Sequence, residues 1–130
     1  MIVDSSVLVA MLRGEPEAEA FGKAIAAERF PVMSAANYLE AGIVIDRDRN
    51  PVLSAKLDAV MAELGIELVP VTPQHAKIAR QAYRDFGKGS GHPARLNFGD
   101  CLAYALATER GEKLLYKGDD FAHAGLERLV

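Results

Sequence analysis

The chain has one cysteine, Cys101, so no intrachain disulfide framework and no multi-cysteine zinc site is possible. It has no apolar run near the roughly 18 residues that a membrane span needs. The first residues, MIVDSSVLVAMLRG, lack a basic leader and place Asp4 inside what would have to be its apolar stretch, so a signal peptide is not expected. Basic excess is missing too: 18 acids against 15 bases give a net charge of −3, which argues against binding nucleic acid by bulk positive charge alone. With 130 residues, half of them apolar and a quarter charged, the expectation is a single folded domain spanning 1–130, and the lone thiol fits the cytoplasm.

Turn and cap chemistry divides the chain. Met1–Val3 reads as a short strand, followed by cap residues Asp4-Ser5-Ser6 and a helix through VLVAML. Glu15–Glu28 is amphipathic and acidic at its start, a second helix. Phe30–Met33 reads as a strand, and Ser34 caps a helix over AANYLEAGIVID. Pro51 to Leu64 keeps helical spacing and stops at Gly65. Ile66–Val71 is expected to be a buried strand. Thr72-Pro73 opens a helix to about Phe86, and GKGSGHPAR is a loop. Asn97 caps a helix to Arg110, ended by Gly111; Lys113–Tyr116 is a strand, and Leu126–Val130 is expected to add a last one. Alternation of this kind implies an α/β fold with a mainly parallel sheet covered on both faces, the site lying beyond the carboxyl ends of the strands.

The informative residues are isolated acids. Asp4 is the only charge between Met1 and Leu12, Glu40 the only one between Ser34 and Ile45, and Asp100 the only one between Leu96 and Thr108. Asp119-Asp120 follow the LLYKG segment. A buried carboxylate costs several kcal/mol unless compensated. The compensators open to it are a distant base, protonation, helix N-terminal amides or a divalent cation. Oxygen-only clusters suit Mg²⁺ or Mn²⁺, and the absence of grouped His or Cys disfavours zinc. A bound cation beside a phosphate points to phosphodiester hydrolysis. Each acid also has a plainer reading: Asp4 as an N-cap, Asp100 as the third position of a capping box with Asn97, and Glu40 in an ion pair, for instance with Arg95.

The motifs IVDSSVLVAML, SAANYLEA, NFGDCLAYALA and LLYKGDDF, in this order and over nearly the whole chain, resemble the VapC-type PIN domains. These are ribonuclease toxins of type II toxin-antitoxin pairs. The resemblance implies a PIN-like three-layer α/β/α fold with four to five strands. It places the catalytic, metal-binding cluster on Asp4, Glu40, Asp100 and the acid of KGDD, assigned to Asp119 with Asp120 as the alternative. Ser6 falls at a supporting position, able to bond Asp4 or substrate. The family further implies an RNA substrate, Mg²⁺ with Mn²⁺ as a substitute, a VapB-like antitoxin that inserts a basic side chain near the acids, and a homodimer. For the dimer, Ile43, Val44, Ile45, Leu53, Leu57 and Met61 offer apolar surface that core packing explains equally.

Lys77, Arg80, Arg84, Lys88 and Arg95 lie in a stretch of local balance +4, a candidate phosphate-binding edge or a merely solvated face. His75 and His92 could contact RNA but, with His123, read more plainly as isolated surface histidines; Cys101 reads as an inert buried thiol, and Tyr38, Tyr83 and Tyr104 as core. Two other functions compete: a phosphatase or phosphotransferase with Asp4 as covalent nucleophile, whose usual second acid is replaced by Ser6, and a catalytically silent PIN-like RNA- or protein-binding module.

Overall fold

The structure, a computed structural model, describes residues 1–130. Four short parallel strands, β1 (Ile2–Val3), β2 (Val32–Ser34), β3 (Glu67–Val69) and β4 (Leu114–Leu115), stand in the order β3-β2-β1-β4. Seven helices surround them: α1 (Ser5–Leu12), α2 (Ala18–Ala26), α3 (Ala35–Asp46), α4 (Pro51–Leu64), α5 (Pro73–Phe86), α6 (Phe98–Arg110) and α7 (Asp120–His123).

Successive strand residues point to opposite faces, which makes two cores. Ile2, Val32 and Leu114 pack with α5 and α6 around Leu102 and Leu106, while Val3, Met33 and Leu115 pack with α1, α2 and α4 around Leu8, Phe21 and Met61. This is the expected α/β/α layering, with four strands, all parallel. No helix is long and apolar enough to cross a membrane.

Local cap chemistry sets most boundaries. Asn97 and Asp100 form a reciprocal capping box at α6, and Thr72 with His75 does the same at α5. Gly65 and Gly111 end α4 and α6 in the left-handed conformation that only glycine adopts at no steric cost. Four expectations are corrected. The second helix starts at Ala18, because Glu15 and Pro16 are spent on a turn closed by the Ala18 N–H to Glu15 O bond. The second strand is displaced to Val32–Ser34, leaving Phe30 exposed beneath Arg29. The Ile66–Val71 segment yields only Glu67–Val69, an edge strand paired on one side and largely solvated. No strand forms over Leu126–Val130. That segment is held by Tyr116, whose hydroxyl donates to Leu126 O, and by Arg128, which donates to Gly118 O.

β1 occupies the centre of the sheet and is flanked by β2 and β4. The chain winds outward from β1 through β2 to β3, then returns to the other side of β1 as β4. The carboxyl ends of β1 and β4 therefore mark the reversal of strand order, the place where open α/β sheets bind ligands.

Candidate active site

Asp4 ends β1 and caps α1. Its N–H donates to Leu115 O of β4 at 3.0 Å, and its Oδ2 accepts the Ser6 N–H at 3.0 Å. The side chain is 2% exposed, and its Oδ1 is buried with no partner. Burial pushes the carboxyl up to about 6; the Glu40 charge adds to this, and the amide and hydroxyl of Ser6 oppose it. The cap reading of Asp4 is thus correct for one oxygen and leaves the other unexplained.

Asp100 repeats the pattern. Its Oδ2 accepts the Asn97 N–H at 3.0 Å, while its own N–H donates to Asn97 Oδ1 at 2.9 Å. Burial raises its carboxyl to about 7, and the charges of Asp4, Glu40 and Asp120 reinforce the shift. Three carboxylates from three other elements thus act on Asp100, which is the electrostatic signature of a convergent acidic cleft.

Glu40 projects from α3 against the first turn of α6. Its Oε1 accepts the Ser5 hydroxyl and, at 3.4 Å, the Asn37 amide, whereas Oε2 has no protein partner. No ion pair with Arg95 or any other base forms. Gly99 makes this approach possible. A Cβ at Gly99 would overlap Glu40 Oε2, the nearest atom, and lie 2.5 Å from Cδ and 2.6 Å from Oε1. Asn37, Ser5 and Gly99 were not foreseen from sequence. The available signals were a polar residue one helical turn before Glu40 in an otherwise apolar segment, and a glycine directly before Asp100.

The two adjacent acids after β4 diverge. Asp119 is ion-paired with Arg128 and three-quarters exposed, and its charge is not among those acting on Asp100. Asp120, the first residue of α7, is the one that does act there. Ser6 bonds Asp4 through its N–H, and its hydroxyl also accepts the Lys117 N–H at 3.0 Å, tying the β4 exit to α1. The Lys117 ammonium turns away to Glu15 and Glu17, so Asp4, Glu40, Asp100 and Asp120 have no cationic partner at all.

No three of these acids close into a ready-made cage for an ion. Without a counter-charge they repel, and Glu40 and Asp100 each spend an oxygen on neutral donors. The remaining donors are all oxygens, one of them orphaned in the interior, and the site carries uncompensated negative charge. That set is of the kind hard divalent cations take.

Lys77, Arg80, Arg84, Lys88 and Arg95 are all exposed, and none engages a carboxylate, so the basic edge is available to phosphates. His75 is not a surface residue: it is 3% exposed and sits 2.8 Å from Glu109, joining α5 to α6. His92 receives the Ala94 N–H and packs edge-on against Phe86 within its loop. Cys101 is buried and burial raises its thiol to about 11, so it stays protonated and unreactive. Tyr83 is half exposed rather than core, its hydroxyl donating to Lys88 O. Of the residues considered for a dimer, Ile45, Leu57 and Met61 are buried. Ile43 is exposed as that reading needs, and Leu39 of α3, Tyr83 of α5 and Phe98 of α6 are among the other exposed apolar side chains. A groove of ≈ 420 Å³ between α3 and the start of α6 is lined by Leu39, Glu40, Ile43, Arg47, Phe98 and Gly99, so Glu40 is reachable from solvent.

Residues 1–126 match the PIN domain family. Ribonuclease VapC28 of Mycobacterium tuberculosis is 54% identical over 130 residues, covering 100% of this chain and 98% of the relative. The crystal structure of Mycobacterium tuberculosis VapC20, described as a sarcin-ricin loop cleaving toxin, superposes with a TM-score of 0.74 at 18% identity, covering 98% of this chain and 97% of that one. A chain of a toxin-antitoxin complex from Klebsiella pneumoniae gives 0.69 at 16% identity, over 93% and 89% of the two chains. These two structural likenesses concern the fold; the family rests on the sequence matches.

Proposed function

Because the chain belongs to the PIN domain family and, within it, to the VapC ribonucleases, we propose that its RNA hydrolysis takes place in the acidic cleft at the ends of β1 and β4. Asp4, Glu40, Asp100 and Asp120 hold a divalent cation there, Mg²⁺ with Mn²⁺ as substitute. Asp120 takes the fourth position in preference to Asp119, supported by its charge on Asp100 and by the Asp119–Arg128 pair. The observation that carries the reading is the buried, unpartnered Asp4 Oδ1, with the charges of the partly buried Glu40 and Asp100 acting in the same cleft and no base among them. A bound cation supplies Lewis acidity and charge neutralisation that let an anionic phosphate enter.

The chain's own groups do the rest. Glu40 Oε2, free of protein donors, orients the attacking water and accepts its proton. In-line attack on phosphorus leaves a 5′-phosphate and a 3′-hydroxyl, with no covalent nucleophile on the protein. The exposed bases from Lys77 to Arg95 bind flanking phosphates.

The site's unbalanced charge also fits an antitoxin that inserts an Arg or Lys among the carboxylates, neutralising them and excluding the cation. The exposed apolar surface of Leu39, Ile43, Tyr83 and Phe98 is where a second copy packs in a homodimer working in the cytoplasm. Asp4→Asn and Asp120→Asn test the catalytic reading: both are expected to stay folded and to lose RNA cleavage by at least about a hundredfold. Wild-type cleavage by either variant would refute it.

A further inference from the structure

One buried polar side chain has no part in the chemistry above. Asn37 lies within α3 with none of its surface exposed, one turn before Glu40. Its Nδ2 donates to Gly99 O at 3.0 Å and reaches Glu40 Oε1 at 3.4 Å, while Oδ1, also buried, has no partner. Reversing the amide would set Oδ1 against a carbonyl and a carboxylate, two acceptors, so this orientation is the one the surroundings allow.

Packing does not call for an amide here. A leucine has the same number of side-chain heavy atoms in a similar branched layout, though it is bulkier, and it leaves no buried acceptor empty. Gly99 O needs no help either, since it lies inside α6 and is positioned to accept the ordinary helical bond from four residues on. What an asparagine does that a leucine cannot is span two elements with one NH₂ group. It joins the Glu40 carboxylate on α3 to the turn of α6 that carries Asp100. With the Ser5 hydroxyl it occupies Oε1 from two directions and leaves Oε2 as the free oxygen.

We propose that Asn37 is a positioning residue, holding the Glu40 carboxylate by Oε1 so that Oε2 faces the acid cleft. The inference rests on the four-acid reading of the site. Groups that orient a ligating or proton-accepting side chain in this way alter cation affinity or activity about 10- to 100-fold when removed.

The test is a double-mutant cycle between Asn37→Leu and Glu40→Gln on the full chain, with Mn²⁺ alone as probe. Mn²⁺ binding is followed by the electron paramagnetic resonance of the free ion, and RNA cleavage is measured at saturating Mn²⁺. Asn37→Leu is expected to weaken Mn²⁺ binding or slow cleavage about tenfold with an unchanged metal-free melting temperature, and to add nothing further to Glu40→Gln. Where the leucine variant does not fold, Asn37→Ser, too short to reach Glu40, replaces it. Equal losses in both backgrounds would show a structural role and overturn the proposal. So would unchanged Mn²⁺ binding and cleavage in Asn37→Leu while Asp4→Asn abolishes both. If Asp4→Asn also binds Mn²⁺ like wild type, the four-acid reading itself falls, and this proposal with it.

Discussion

Gly99→Ala puts the geometry of Glu40 to a severe test, because the change adds one methyl group and removes nothing. The backbone at Gly99 is not left-handed, so alanine fits it without strain. The new Cβ would overlap the Glu40 carboxylate, meeting Oε2 first and lying 2.5 Å from Cδ and 2.6 Å from Oε1. The obstacle is the far end of a flexible side chain, and the groove beside it is open to water, so Glu40 swings out rather than α3 and α6 separating. Alanine in place of glycine favours a helix by about 1 kcal/mol, less near its end. Against this stands the loss of the Ser5 and Asn37 bonds to Glu40, worth about 1 kcal/mol net once the expelled carboxylate is rehydrated. The two nearly cancel, and the melting temperature should move by no more than about 5 °C. Under the proposed role of Glu40, activity should respond otherwise: displacing a reacting group by about 1 Å costs on the order of 100-fold. Thermal unfolding paired with single-turnover cleavage of a labelled RNA measures both quantities. A Gly99→Ala protein that cuts RNA at the wild-type rate would show that Glu40 is not needed where the structure puts it, and a loss of more than about 10 °C would show that α3 and α6 give way instead.

The buried acids predict an unusual pH dependence. Asp4 and Asp100 are raised from 3.8 to about 6 and about 7, so the metal-free protein holds these protons more tightly than the unfolded chain does. Their contribution is present at about pH 4 and is lost as pH rises through 6 and 7, so the metal-free melting temperature should fall across that window, less steeply in Asp100→Asn. Mn²⁺ should restore stability at pH 8 and do little at pH 5; a protein equally stable at both without metal would contradict the burial of these charges. On the basic edge, Arg84→Gln and Lys88→Gln should weaken RNA binding while kcat holds, each lowering the slope of log affinity against log salt by about 0.7, as filter binding at several salt concentrations would show. On the proposed dimer, wild type should scatter as a dimer and Phe98→Asp as a monomer, since Phe98 is 81% exposed and lines both neighbouring apolar grooves; a wild-type monomer would refute that surface.

What could be read in advance was local. Asn97 with Asp100, Thr72-Pro73, Gly65 and Gly111 work through bonds that span three or four residues, and each lies where its cap chemistry placed it. The three isolated acids Asp4, Glu40 and Asp100 stood out because their neighbours are apolar, and burial of that kind leaves a mark in sequence. The misplaced features depend on distant partners. Glu67–Val69 is exposed because no strand lies beyond it. Leu126–Val130 is claimed by Tyr116 and Arg128 before it can pair. Asp119 and Asp120 are interchangeable on paper, and the position of Arg128 is what separates them. His75 reads as a surface residue until Glu109, 34 residues later, is brought against it. Asn37 and Gly99 matter through a contact between residues 62 apart.

The central place of β1 has a consequence in time. Its partner on one side, Val32, follows soon after it, but its partner on the other is Leu114. At about 5 to 20 residues per second, the stretch between them occupies a ribosome for roughly 4 to 16 s. Through that interval the Asp4 amide lacks the Leu115 carbonyl, and Asp100 and Asp120 join the cleft only near the end. The cleft is therefore incomplete until nearly the whole chain has been made. The edge that completes the cleft is among the last parts of the fold to be made, so the sheet closes from its centre only after its two outer neighbours exist.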